Sequence, residues 1–175
     1  MLNCALYFGS FNPVHFGHIA IAKYLASMDD IDIVMIVPSP HNPLKEVGTL
    51  APAEEKLAKV REDFGGISSK LTVSDIEYTL EEPLYTIKTL RRLKEIYRDY
   101  NFILTMGADN ILIIEKWYQW REILADFEII VYPRDGYECY NKCKELASIS
   151  KKLTYLKEAP LHKISSTQIR EASLK

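Results

Sequence analysis

His15 and His18 stand three residues apart in the run Gly9-Ser10-Phe11-Asn12-Pro13-Val14-His15-Phe16-Gly17-His18. Imidazoles at that spacing share one face of a helix over a single turn, and each can donate an N–H to an anionic oxygen. The run lies where an apolar stretch gives way to a helical one. Backbone N–H groups near Gly9 and Ser10, with the positive end of the helix behind them, make an anion site that needs no lysine. Gly17 removes a side chain between the rings, where another group can approach closely. The plainer account is a strand-to-helix turn with half-buried histidines, and the residue types alone leave both accounts open. A metal on His15 and His18 has no third ligand nearby in the sequence.

A second run, Ile164-Ser165-Ser166-Thr167-Gln168-Ile169-Arg170, opens a terminal helix. Ser165 and Gln168 have the spacing of a capping box, so its bland reading is a helix start followed by an exposed arginine. The same groups suit phosphate: hydroxyls of Ser166 and Thr167 beside free N–H groups, with Arg170 one turn on as a bidentate donor. The chain has neither G-x-G-x-x-G nor G-x-x-x-x-G-K-[ST], which excludes the common dinucleotide-cofactor and P-loop fingerprints.

The elements that must position these groups follow from periodicity. Short apolar runs predict strands at Cys4–Phe8, Ile31–Val37, Leu71–Ile76, Phe102–Met106, Glu128–Tyr132 and Thr154–Leu156. Helices are predicted at Phe16–Ser27, Pro52–Phe64, Thr86–Tyr100, Asn110–Ile114, Trp120–Ala125, Tyr137–Ser148 and from Ser166. The proline-rich stretch 38–52 reads as a long surface loop. Strands alternating with helices imply an α/β, Rossmann-like, doubly wound parallel sheet with helices on both faces. Ligands of such a sheet lie beyond the carboxyl ends of its strands.

At 175 residues, 47% hydrophobic and 26% charged, residues 1–175 fit one compact soluble domain able to fold without disulfides. The formal charge of −2 argues against a dedicated nucleic-acid binder. That charge divides unevenly: +1 in residues 1–28, +4 in residues 151–175 and −7 between. Positive ends suit a phosphorylated small molecule, and they are expected to converge at the carboxyl edge of the sheet. Apolar stretches such as Ile33–Val37 and Ile111–Ile114 are too short to span a bilayer and no basic n-region precedes Lys23, so a cytoplasmic protein without membrane contact is expected. Cys4, Cys139 and Cys143 do not suggest a disulfide framework. Cys139 and Cys143 could touch a metal, but further ligands are lacking.

Together the histidine-bearing turn and the late hydroxyl cap with its arginine resemble the nucleotidylyltransferase superfamily, and within it the bacterial-type nicotinate mononucleotide adenylyltransferases. The resemblance runs through residues 9–18, Pro-Leu-Tyr-Thr-Ile-Lys-Thr-Leu at 83–90, Met-Gly-Ala-Asp-Asn at 106–110, Trp117 and residues 164–170. It implies transfer of AMP from ATP to nicotinate mononucleotide, giving deamido-NAD and pyrophosphate, with Mg²⁺ carried mainly by the ATP phosphates. His15, His18 and Arg170 are implied as catalytic donors, and Gly9, Ser10, Phe11, Gly107, Asp109, Ser166 and Thr167 as further ATP contacts. On the mononucleotide side the resemblance implies Lys45, Thr86, Trp117 and Tyr118, with Trp117 stacking on the pyridine ring. Each has a plainer role beside it: core packing for Trp117, a helix cap for Asp109, a solvated loop for Lys45. The chain departs from the family pattern at Leu44, where a histidine is common, at Lys88 and at Leu84. A pantetheine-phosphate adenylyltransferase or cytidylyl relative shares the histidine motif but leaves Met106–Asn110, Trp117 and Ile164–Arg170 unexplained. A nucleotide sensor would bind ATP without turnover. Homo-oligomerisation and the choice between acid and amide mononucleotide are left open.

Overall fold

The computed structural model describes residues 1–40 and 52–161. Among them, strands β1 (Leu2–Gly9), β2 (Ile33–Pro38), β3 (Leu71–Val73), β4 (Tyr100–Gly107), β5 (Glu128–Tyr132) and β6 (Lys152–Tyr155) form one sheet. Every pairing is parallel and the order is β3-β2-β1-β4-β5-β6. The helices are α1 (Phe16–Ser27), α2 (Ala53–Phe64), α3 (Thr86–Ile96), α4 (Ala108–Ile111), α5 (Trp120–Asp126) and α6 (Tyr140–Ala147). This is the doubly wound α/β sheet that the alternation of runs predicts.

Strand alternation sorts the core into two layers. Ala5, Tyr7, Val34, Ile36, Ile103 and Ile130 pack with Ile21 and Leu25 of α1 and Val60 and Phe64 of α2. Cys4, Leu6, Met35, Leu104 and Ile129 point the other way, onto Ile87 and Leu90 of α3, Ile123 of α5 and Leu146 of α6. Period-2 burial on both faces explains why the strands read as continuous apolar runs. At the amino edge the Asn101 amide donates to Asn3 Oδ1 and to Glu128 Oε1, both at 3.0 Å, and Glu128 pairs with Lys152 at 3.1 Å. That chain of polar contacts crosses β1, β4, β5 and β6 opposite to the ligand edge.

Several boundaries differ from the periodicity. The helix expected to run to Tyr100 ends at Ile96, because the Leu2 N–H already bonds the Asp99 carbonyl and draws the chain into β4. The strand expected to reach Ile76 stops at Val73, and Ile76–Tyr78 forms one 3₁₀ turn. The helix expected from Asn110 begins at Ala108 with Gly107 as its cap, so Asp109 lies within the first turn and does not cap it. Among the described residues no helix is long and apolar enough to cross a membrane.

Candidate active site

Strand order reverses between β1 and β4, and both strands end on glycine. A Cβ on Gly107 would lie 2.5 Å from Asp109 Oδ1 and 3.1 Å from Arg134 Cγ, so only a bare backbone lets those groups close over the strand end. At Gly9 the Phe11 ring occupies the corresponding space, 2.9 Å from where a Cβ would be. Phe11 has φ of 45° and is 3% exposed, wedged edge-on against Tyr7, His18 and Phe64. Its side chain therefore supports the turn from beneath, and only its backbone is left to face a ligand.

The two histidines do not share a helix face. His15 is extended (φ −133°, ψ 171°) and caps α1 from outside. Its Nδ1 accepts from the Gly17 N–H at 3.1 Å and the His18 N–H at 3.4 Å, while the His15 N–H donates back to His18 Nδ1 at 3.2 Å. This is a capping box built from two imidazoles, with the rings stacked 3.7 Å apart at 21°. Because each Nδ1 accepts a backbone N–H, the neutral ring carries its proton on Nε2, away from the backbone. Burial, the neighbouring His15 and then Arg134 push His18 down to about 3, so it stays neutral and donates without a positive charge of its own.

Arg134 completes the group and was not singled out by sequence. It lies two residues beyond β5, and it shares one pocket with Tyr7, His15, Gly17, His18, Tyr132 and Pro160. Tyr132 meets Tyr7 edge-on at 5.8 Å beside Arg134, and burial raises the pKa of its hydroxyl, which stays protonated. The available signal was position: a basic residue just past the carboxyl end of a strand next but one to β1. Beside it, Asp109 Oδ1 is buried and has no hydrogen-bond partner among the described residues. An oxygen left so is costly unless a ligand hydroxyl or N–H meets it.

The expected convergence of both charged ends is only partly realised. Pro160 brings the last segment back to the histidines, but Lys151 and Lys152 sit at the amino edge of β6, where Lys152 pairs with Glu128. The cation described at the site comes from the acidic middle of the chain. Lys45, Ser166, Thr167 and Arg170 lie outside the described residues.

A second cavity of about 270 Å³ is lined by Leu84, Tyr85, Thr86, Lys116, Trp117, Tyr118 and Ile123. Thr86 opens α3 and Trp117 precedes α5, so the N-terminal ends of two helices flank it. Trp117 packs one side on the core and gives the other to the cavity, which reconciles its two sequence readings. Tyr85 and Tyr118 stack at 4.6 Å beside it. Such a space suits a planar heteroaromatic ring, with N–H groups at hand for an anionic substituent. Away from both cavities, Cys139 and Cys143 are free and buried with sulfurs 3.8 Å apart.

The family model described as Cytidylyltransferase-like matches residues 6–172. A protein of Flavobacterium johnsoniae named as a probable nicotinate-nucleotide adenylyltransferase is 41% identical over 98% of this chain and 86% of its own length. One of the same name from Bacteroides fragilis is 38% identical over 95% and 80%. Among solved structures, a nicotinic acid mononucleotide adenylyltransferase of Plasmodium falciparum complexed with NaAD superposes with a TM-score of 0.78 over 98% of this chain and 83% of that one. At 17% identity it speaks for the fold alone. The near full-length likeness to the bacterial proteins places this chain in the nicotinate-nucleotide adenylyltransferase family, an adenylyltransferase of the Cytidylyltransferase-like group.

Proposed function

We propose that this chain joins the AMP part of ATP to nicotinate mononucleotide, releasing pyrophosphate as a step of NAD biosynthesis in the cytoplasm. A phosphate oxygen of the mononucleotide attacks the α-phosphorus in line; the bond from that phosphorus to the bridging oxygen of the β-phosphate breaks, and pyrophosphate leaves with its electron pair. No covalent enzyme intermediate is required. What remains for the protein is alignment and stabilisation of negative charge.

The observation that carries this reading is the reciprocal His15–His18 cap beside Arg134 at the point where strand order reverses. Two imidazole Nε2–H donors, a guanidinium and the N-terminus of α1 suit the oxygens of a triphosphate. Asp109 supplies an acceptor for a ribose hydroxyl, and the backbone of Gly9, Ser10, Phe11 and Gly107 lies against the phosphates or nucleoside. Ser166, Thr167 and Arg170 add hydroxyls and a second guanidinium. The mononucleotide takes the Thr86–Trp117–Tyr118 cavity, with its ring on Trp117 and Lys45 toward its phosphate. Magnesium enters as the MgATP substrate. Imidazole N–H and guanidinium groups face phosphate oxygens and not a cation, and among the described residues no three His, Cys, Asp or Glu side chains cluster to hold an ion.

The test is pyrophosphate release from ATP, Mg²⁺ and nicotinate mononucleotide, with deamido-NAD identified as the second product. Nicotinamide mononucleotide, 4′-phosphopantetheine, and CTP in place of ATP serve as comparators. The highest kcat/KM is expected for ATP with the acid mononucleotide; a higher value for another pair, or no turnover at all, rejects the assignment.

A further inference from the structure

The cavity assigned to the mononucleotide has two walls from separate elements: Tyr85–Thr86 at the start of α3, and the turn Trp117–Trp120 that leads into α5. The first wall is rigid. Ile87, Leu90 and Leu93 of α3 are all fully buried and fix that helix on the sheet.

The second wall has a less favourable backbone. The turn closes through the Trp120 N–H to the Trp117 carbonyl at 3.2 Å, and its third residue, Gln119, has φ of 53° and ψ of 38°. Glycine or asparagine ordinarily fills that left-handed position, and a glutamine there is strained. Gln119 also caps α5, its carbonyl accepting from the N–H groups of Glu122 at 3.1 Å and Ile123 at 3.3 Å. Tyr118, directly before it, is half exposed and makes its stacking contact with Tyr85 across the cavity mouth.

One side chain of α3 spans the two walls. The Arg91 guanidinium donates from Nε to Glu122 Oε1 at 2.9 Å and from Nη2 to Glu122 Oε2 at 2.6 Å, a bidentate pair. Nη2 also donates to Gln119 Oε1 at 2.7 Å. The planar fork thus holds the first turn of α5 and the strained residue before it from a single point on α3. Arg91 is not among the residues lining the cavity.

We propose that Arg91 is a positioning residue that sets the spacing between Thr86 and the Trp117–Tyr118 turn, and through it the affinity for the mononucleotide's aromatic ring. This rests on the assignment of the mononucleotide to that cavity. Without the clamp, Gln119 is released from the left-handed region, the turn relaxes, and the Trp117 face no longer parallels the ring. The ATP side is untouched, because the His15–His18 cap and Arg134 stand on other elements.

The experiment combines calorimetric titration of nicotinate mononucleotide with KM for both substrates and melting temperature, in wild type, Arg91→Leu, Arg91→Lys and Gln119→Gly. Arg91→Leu is expected to weaken mononucleotide binding and raise its KM about tenfold, with the ATP KM within twofold of wild type. Arg91→Lys falls between, since an ammonium cannot engage Glu122 and Gln119 in the same fork. Gln119→Gly separates positioning from folding. Glycine removes the strain but enters other backbone regions as readily, so this variant melts no lower than wild type, yet without the Arg91 contact its turn is no longer held in one conformation and it binds mononucleotide more weakly. Unchanged mononucleotide affinity in Arg91→Leu and Gln119→Gly overturns the inference, as does an equal rise in both KM values. If Arg91→Leu fails to fold, Gln119→Gly decides alone. A wild-type protein that does not bind the mononucleotide overturns the underlying assignment together with this inference, whereas normal wild-type binding matched by both variants overturns this inference only.

Discussion

His15 and His18 cap one another: each Nδ1 accepts a backbone N–H from the other's residue, across rings 3.7 Å apart. One pair of hydrogen bonds thereby starts α1, fixes both tautomers and aims two Nε2–H donors away from the backbone. His18→Ala is expected to lower turnover about 10²-fold or more, the usual cost of losing one donor to developing charge. It should lower stability by only about 1 kcal/mol, the scale of a lost cap contact. Pyrophosphate release and thermal melting by circular dichroism measure the two effects. Turnover within tenfold of wild type rejects the donor role.

The low pKa of His18 has a sign that melting can read. In the unfolded chain it titrates near its ordinary 6.5, whereas the native fold refuses the proton until about 3. Below pH 6.5 the unfolded state therefore binds more protons, and stability falls as pH drops through that window. The slope from this residue is about 1.4 kcal/mol per pH unit. Denaturant titrations between pH 7 and 4 should show a shallower slope in His18→Asn than in wild type. Imidazole chemical shifts should show His18 still neutral at pH 5; a His18 that titrates near 6.5 in the native protein contradicts the burial argument.

Much of this arrangement is legible in the sequence, for definite reasons. Strands buried on both faces, such as β1 with Leu6 in one layer and Tyr7 in the other, need continuous apolar runs, and those runs give the sheet away. Helix α1 begins at Phe16 and ends at Ser27 as its periodicity predicts. Spacing could not tell a helical histidine from a capping one, because His15 differs from a first-turn residue only in its backbone angles. Arg134 was hidden by charge counting, which assigned it to the acidic middle. Lys151 and Lys152 count toward the positive end of the chain but stand at the start of β6, and so belong to the amino edge. The left-handed Gln119 has no sequence signal, since a glutamine does not mark such a backbone and its contact with Arg91 is 28 residues distant in sequence.

Arg134 is expected to act on ATP more than on the mononucleotide, since it shares its pocket with His15 and His18 and not with Trp117. Arg134→Ala should lower kcat/KM about 10²-fold. Arg134→Lys should recover part of that loss, because a lysine keeps the charge but not the bidentate geometry. Steady-state kinetics with each substrate varied in turn separates the cases. A loss confined to the mononucleotide KM assigns Arg134 to the other subsite.

Gly107 offers a test that adds one methyl group at the switch point. The new Cβ would meet Asp109 Oδ1 at 2.5 Å and Arg134 Cγ at 3.1 Å, so both side chains must move. Both are long or terminal enough to swing aside, and Gly107→Ala should cost about 1 kcal/mol of stability, at the low end of overpacking. The ATP KM should rise about tenfold, since misplacing a contact group by an ångström is enough for such a loss. An ATP KM unchanged alongside normal melting indicates that Asp109 and Arg134 do not set ATP binding.

The amino edge supplies the opposite control. Asn101 joins β1 to β5 through Asn3 and Glu128, at the far ends of the strands from the histidines. Replacing it with leucine strands two half-buried partners, Asn3 Oδ1 and Glu128, and the expected cost is about 1–3 kcal/mol. Glu128 is held below its ordinary pKa by Asn101 and Lys152 against the opposing effect of burial. The Asn101 contribution is therefore present at neutral pH and fades as acid protonates Glu128. Asn101→Leu should accordingly differ most from wild type near pH 7 and least in acid, with kcat and both KM values unchanged at 25 °C. Altered KM values at full folding show that the two edges of the sheet are coupled, and that the strands transmit register shifts from Asn101 to Gly107.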